Sequence, residues 1–190
     1  MPRRDRRREI LDAALTCFLE RSYLATSISD IRVASGASTG SIYHFFGNKA
    51  AIALALIDEA VAGWSGASRE SFDPDVSAER AIKSSVRGLV SWGVESPLLL
   101  RFMDEIRTIS NSDPDFANVR AVFDAGRNLG EKQYNLFVQR GEVKQMAFVL
   151  AHSLMLGPAY NYLRMAGAGR ADDSSAPEIL ASAAWAAVRA

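Results

Sequence analysis

The chain has one cysteine, two histidines and no formal net charge across its 190 residues. A lone Cys17 excludes an internal disulfide framework, and its place on an apolar helical stripe marks it as packing rather than as an exposed reactive thiol. His44 and His152 fall in different predicted units, so with Cys17 they offer neither metal-ligand spacing nor a nucleophile–base pair. Walker-type and dinucleotide-binding glycine patterns are missing too. No catalytic residue, metal or cofactor is therefore expected, and an enzyme is disfavoured. A long uninterrupted apolar run is also lacking. The basic start runs into Asp12 and Glu20 instead of a signal-type stretch. The nearest approach to a membrane span, Met146 to Leu163, is interrupted by His152, Ser153, Gly157, Pro158 and Asn161. A cytoplasmic protein without membrane contact is the expectation.

What the chain does have is uneven charge. Residues 1–49 carry eight Lys/Arg against five Asp/Glu, a balance of +3, and residues 50–190 carry a balance of −3. Five of the positive groups, Arg3, Arg4, Arg6, Arg7 and Arg8, lie in the first eight positions, an arm suited to phosphate or minor-groove contact. Ile10, Ala13, Ala14, Cys17 and Phe18 follow at the spacing of one buried helical stripe. Ser27 to Phe46 then reads as two short helices hinged on Ser35-Gly36-Ala37: Gly36 tolerates positive φ, and Ser38 is a good N-cap. Ile28, Ile31 and Ile42 supply the inner face. Thr39, Ser41, Tyr43 and His44 are left to face outward. A recognition helix offers its first residues to base edges while neighbouring groups hold phosphate, roles that suit Ser38 to Ser41 and Tyr43, His44 and Lys49 respectively.

The stretch from Arg7 to Leu56 resembles the DNA-binding domain of the TetR (tetracycline-repressor-like) family of transcriptional regulators. The likeness is carried by Ile10-Leu11-x-Ala13-Ala14, Phe18, Tyr23, Ala25-Thr26-Ser27, Ile31, Gly36-x-Ser38-x-Gly40-x-Ile42-Tyr43-x-x-Phe46 and Lys49. It implies DNA contacts at Thr26, Ser27, Ala37, Ser38, Thr39, Ser41, Tyr43, His44 and Lys49. The chain departs from the pattern at Ser22, where Gly is usual, at Arg32, where a small residue is usual, and at Ala50, often Glu. Ser22 must then adopt a turn that glycine takes more cheaply, and Arg32 must point its head outward.

Beyond Lys49 the sequence reads as helices with short polar punctuation. Ala53 to Trp64 is capped by Asn48, Ala78 to Leu89 ends near Ser96-Pro97, and a long segment from Asp115 to Gln139 contains Gly126 and Gly130. Gln145 to Met165 is apolar on nearly every side, and Glu178 to Arg189 carries Leu180, Ala183, Ala184, Ala187 and Val188 on one stripe. Such helices near a C-terminus are often covered by a second subunit, and the resemblance also implies a homodimer through the last two helices. Ala166 to Pro177, rich in Gly, Ser and acid, reads as a flexible loop. By the resemblance, a small-molecule effector would bind among the middle helices. Trp92, Phe102, Met103, Phe123, Phe137 and His152 are the candidates to line its pocket.

The expected architecture is all-α: a three-helix helix-turn-helix DNA-binding domain over 1–49 and a helical ligand-binding and dimerisation domain over 50–190. The expected function is a repressor that binds a palindromic double-stranded DNA operator as a homodimer and is released by a small hydrophobic or amphipathic effector. The alternative is a helical protein-interaction module with an inert helix-turn-helix. Operator sequence, effector and regulated genes are not legible.

Overall fold

The computed structural model describes residues 3–73, 75–111, 116–166 and 173–190, with side chains for all of these except 3–5 and 72. The elements are α1 (Arg3–Arg21), α2 (Ile28–Ser35), α3 (Thr39–Phe46), α4 (Lys49–Ala67), a 3-10 turn (Arg69–Phe72), α5 (Ala78–Glu95), α6 (Pro97–Ser110), α7 (Ala117–Gln139), α8 (Phe148–Ala166) and α9 (Ala176–Val188). No strand occurs among the described residues, as expected of an all-α chain. Val143 and Arg189 form an isolated antiparallel bridge. Of the expected loop at 166–177, residues 167–172 lie outside the described residues.

The chain divides into two compact units, Met1–Ala60 with Leu98–Phe123, and Val61–Pro97 with Asp124–Ala190. In the first, the α1 stripe of Ile10, Leu11, Ala14, Cys17 and Phe18 is buried, and α1 packs on α2. The Cys17 thiol is pushed up by burial, which suits packing and not thiolate chemistry. Phe18 stacks on Phe102 of α6 with ring centroids 5.4 Å apart. Arg101 of α6 donates to the Leu19 carbonyl at 3.1 Å, satisfying an open acceptor near the end of α1.

α4, not the 146–163 stretch, is the described helix long and apolar enough to cross a membrane by composition. Its Ile52, Ala53, Leu56, Ile57 and Ala60 are instead wholly buried in the protein, and its Glu59 pairs with Arg8 at 2.6 Å. The polar residues of the 146–163 stretch, His152, Ser153 and Asn161 among them, interrupt its apolar character. A second correction concerns the basic start, which is α-helical from Arg3 onward rather than a free arm. Arg6 pairs with Glu9 at 2.8 Å, and Arg8 bridges Asp12 and Glu59, so charges meant for phosphate are partly committed within the fold.

In the second unit α5 packs against both α8 and α9, which also pack on each other. The approach of α5 to the end of α4 is close at Gly88, where an added Cβ would lie 2.2 Å from Ser68 Oγ and 2.7 Å from the Ala67 carbonyl. The chain end is tied down as well. Lys144 N–H donates to the Val188 carbonyl at 2.8 Å, and the Glu142 carboxylate accepts from Ala78 N–H at 2.6 Å at the start of α5.

Candidate nucleic-acid interface

Local chemistry sets α2 and α3 at a fixed angle. Ser27 caps α2 in a closed capping box: its hydroxyl accepts from Asp30 N–H, and the Asp30 carboxylate accepts from Ser27 N–H at 2.8 Å. The Ser27 hydroxyl and amide hold the Asp30 carboxyl below the usual carboxylate range, helped by Arg21 at 2.9 Å. α2 stops at Gly36, φ 63° and ψ 12°, a left-handed cap that glycine takes without strain. Two residues later Ser38 caps α3 by accepting from Ser41 N–H at 3.1 Å. Ile31, Ile42 and Phe46 are buried beneath the pair. The opposite edge of α3 presents Thr39, Gly40, Tyr43 and His44, all exposed, with Ser41 half-buried; Tyr43 is 51% exposed. Arg32 of α2 is exposed, its head outward, and the Arg7 guanidinium lies 5.2 Å from the centre of the Phe46 ring, beside the end of α3.

Four expected contact residues are placed differently from the outward row. The Thr26 side chain is buried, its hydroxyl donating to the Ser22 and Cys17 carbonyls at 2.8 and 3.0 Å. Ala37 is buried under the turn, where its N–H donates to the Ser35 hydroxyl. Ser27 is exposed, yet its hydroxyl is occupied by the capping box. Lys49 was expected to hold phosphate; its ammonium donates to the Tyr23 and Thr26 carbonyls at 2.9 and 2.8 Å and lies 4.3 Å from the Tyr23 ring centre. A short polar residue beside a helix start serves the backbone as readily as a ligand. A lysine head among open carbonyls is held there by its own hydrogen bonds.

The other candidates, aromatic except for Met103, lie on α5 to α8. Phe102 and Met103 are buried in the first unit, Phe102 stacked on Phe18 of α1, and neither lines the cavity described below. Phe123, half-buried, has the Arg107 guanidinium 5.0 Å over its ring. In the second unit Trp92 is packed against Gly63, and His152 meets the Phe148 ring edge-on at 5.8 Å. Phe137 alone of the six lines the cavity of about 70 Å³ found in that unit. Its apolar wall is completed by Ala81, Ile82, Met155 and Leu156, and its polar wall is Ser71, Ser85, Gln133 and Tyr134. Ala81, Ile82 and Ser85 belong to a helical stripe visible in the sequence, but a wall residue and a core residue give the same periodicity.

Residues 10–56 match the family model for bacterial regulatory proteins of the tetR family. The chain is 42% identical over 59 residues to the transcriptional repressor KstR2 of Rhodococcus jostii, a match covering 31% of this chain and 27% of that protein. It is 29% identical over 113 residues to the repressor AcnR of Corynebacterium diphtheriae, covering 60% and 54%. The chain thus spans between about a quarter and a half of the length of these curated relatives. Solved structures extend the likeness in fold to the whole chain. A TetR family transcription regulator from Marinobacter aquaeolei superposes with a TM-score of 0.80 at 23% identity, covering 100% of this chain and 99% of that one. The ketosteroid regulator KstR2 of Mycobacterium tuberculosis gives 0.74 at 16%, covering 97% and 95%.

Proposed function

We propose, because residues 10–56 match the family model for bacterial regulatory proteins of the tetR family, that the protein is a transcriptional repressor that binds a palindromic operator as a homodimer and is released by a small effector. The observation that carries the reading is the outer edge of α3: Thr39, Gly40, Tyr43 and His44 stand exposed on a helix whose other side is anchored by Ile42 and Phe46. That edge is what a major groove requires, with short side chains first and longer polar ones after. We assign base reading to Thr39 and Ser41, phosphate contact to Tyr43, His44, Arg7 and Arg32, and a backbone role at the helix start to Ala37 and Ser38. DNA binding is assigned to 1–49, and effector binding and dimerisation to 50–190, with action in the cytoplasm.

The homodimer reading is supported by the outer faces of α8 and α9. Both helices pack on α5, and away from it Val149, Leu150, Leu154 and Met165 of α8 and Ile179 of α9 are exposed. Several exposed large apolar side chains on two neighbouring helices suit a partner interface. Twofold symmetry then sets two α3 helices into successive major grooves, about 34–36 Å apart or a multiple of that. An effector that favours one spacing of the two helices over another shifts operator affinity by its differential binding.

Selection of bound fragments from a genomic DNA pool, followed by competition between the selected duplex and a scrambled one across a salt titration, tests the reading. A palindromic consensus retained over scrambled DNA is the expected result. A protein-interaction module with an inert helix-turn-helix would show only salt-sensitive binding without sequence preference.

A further inference from the structure

We propose that the cavity of the second unit takes a small uncharged molecule with an apolar body and one hydroxyl group. Its regulatory meaning rests on the effector reading above; the binding itself does not. Among the described residues, the wall contains no Lys, Arg, His, Asp or Glu. A carboxylate or ammonium entering it would shed its water without meeting an opposite charge. Tyr134 is the one titratable residue among the described wall residues. Its hydroxyl donates to the Lys144 carbonyl at 2.7 Å, and burial pushes its pKa up, so the phenol stays neutral.

The wall's polar groups also say which single polar function fits. The Gln133 amide donates to the Ser71 carbonyl, and the Ser71 hydroxyl donates to the Ser68 carbonyl at 2.6 Å. The Ser71 hydroxyl proton and one of the two Gln133 amide hydrogens are thereby occupied. Ser85 lines the cavity with a hydroxyl that has no hydrogen-bond partner among the described residues. A hydroxyl group, able both to give and to accept, suits a serine that can do the same.

Size narrows the class further. A cavity of about 70 Å³ is below the roughly 150 Å³ that admits benzene in an engineered protein core, so the ligand widens the space as it enters. Met155 can yield, being unbranched and flexible. The wall at Gly130 cannot gain a methyl freely, since a Cβ there would lie 3.0 Å from the Phe148 ring tip. Compact ligands are favoured over long ones.

The test is calorimetric titration of the full chain at neutral pH with p-cresol, toluene and benzoate, together with operator binding in the presence of each. p-Cresol is expected to bind saturably at one site per chain, with benzoate weaker by at least about tenfold, the equivalent of one unpaired-charge penalty of modest size. Toluene should bind about fivefold more weakly than p-cresol, the value of one hydrogen bond, and Ser85→Ala should remove that difference. Leu156→Ala enlarges the space and should tighten p-cresol; Ser85→Phe fills it and should abolish binding. If Ser85→Phe fails to fold, the Leu156→Ala comparison still decides. Absence of saturable p-cresol binding, or benzoate binding as tightly, overturns the proposal. p-Cresol binding with unchanged operator affinity supports the ligand class and overturns the effector reading instead.

Discussion

At the scale of single residues, two positions carry backbone chemistry that bears on function. Gly40 sits inside α3, where glycine is about 1 kcal/mol worse than alanine. An added Cβ would meet no heavy atom of the described residues within 4 Å, so none of them calls for glycine there. Its exposed place between Thr39 and Ser41 leaves the space to whatever the edge approaches. Gly40→Ala is expected to stabilise the fold by about 0.5–1 kcal/mol while weakening operator binding. Paired denaturant melts and fluorescence anisotropy read both; unchanged operator affinity would detach Gly40 from the interface. Ser22 is the opposite case. It holds φ 71°, the only positive φ outside glycine among the described residues, and its hydroxyl returns one long contact from Ala25 N–H at 3.4 Å. Ser22→Gly relieves a left-handed conformation and should raise stability by about 0.5–1 kcal/mol, visible as a higher denaturation midpoint. The strain at Ser22 was readable from the sequence because the family pattern has glycine there. The freedom at Gly40 was not, because the sequence does not show what surrounds a missing side chain.

At the scale of elements, the α1–α2 turn is gripped from three sides within the first unit. α6 supplies Glu105, which accepts from Tyr23 N–H at 2.8 Å, and Arg101 on the Leu19 carbonyl. α4 supplies Lys49 on the Tyr23 and Thr26 carbonyls. The Tyr23 ring meets Phe18 at 5.2 Å and Phe116 edge-on at 4.7 Å. The turn runs straight into the capping box of α2, so its position fixes the entry of the helix-turn-helix. Lys49→Ala is therefore expected to lose about 1.5–3 kcal/mol of stability, the worth of hydrogen bonds made by a charged donor, and to weaken all duplexes together. If the ammonium instead contacted phosphate, the slope of log affinity against log salt would shrink by about 0.9; the salt titration distinguishes the two. Glu105→Ala should loosen the turn as well, whereas Glu105→Gln, which keeps an acceptor oxygen, should recover most of the operator affinity. Failure of that recovery would argue for a role of the charge itself. The caps at Ser38 and Asn48 were legible because they act within three residues of themselves; the cap at Ser27 obeys the same local rule, but the sequence reading marks Ser27 only as a DNA contact. Glu105 and Arg101 act 82 residues away, and no local pattern announces such partners.

At the scale of the whole molecule, the same contrast separates what periodicity reveals from what it hides. In sequence the first of the last two helices reads as apolar on nearly every side and the second as carrying one apolar stripe, yet both divide into inner and outer faces once α5 is in place. Ala181, Ala184 and Val188 of α9 turn inward and are buried, whereas Ile179 is 61% exposed; on α8, Leu150 is 53% exposed. Ala184, which sequence alone marks as an interface position, is thus an internal packing residue, and a charge there tests folding rather than assembly. Ile179→Glu and Leu150→Glu are the informative substitutions. Each places a carboxylate on the outer face, where water solvates it in a monomer but a twofold partner would bury it unpaired, with the penalty paid twice per dimer. Both variants should keep wild-type helicity by circular dichroism, run as monomers in sedimentation at micromolar concentration, and bind the operator with a loss of well over about tenfold, since one reading helix no longer brings the second. Ala184→Glu should instead lower the melting temperature or prevent folding, at several kcal/mol for a buried unpaired charge. A stable dimer from both Ile179→Glu and Leu150→Glu, with full operator affinity, would move the interface to another face of the second unit.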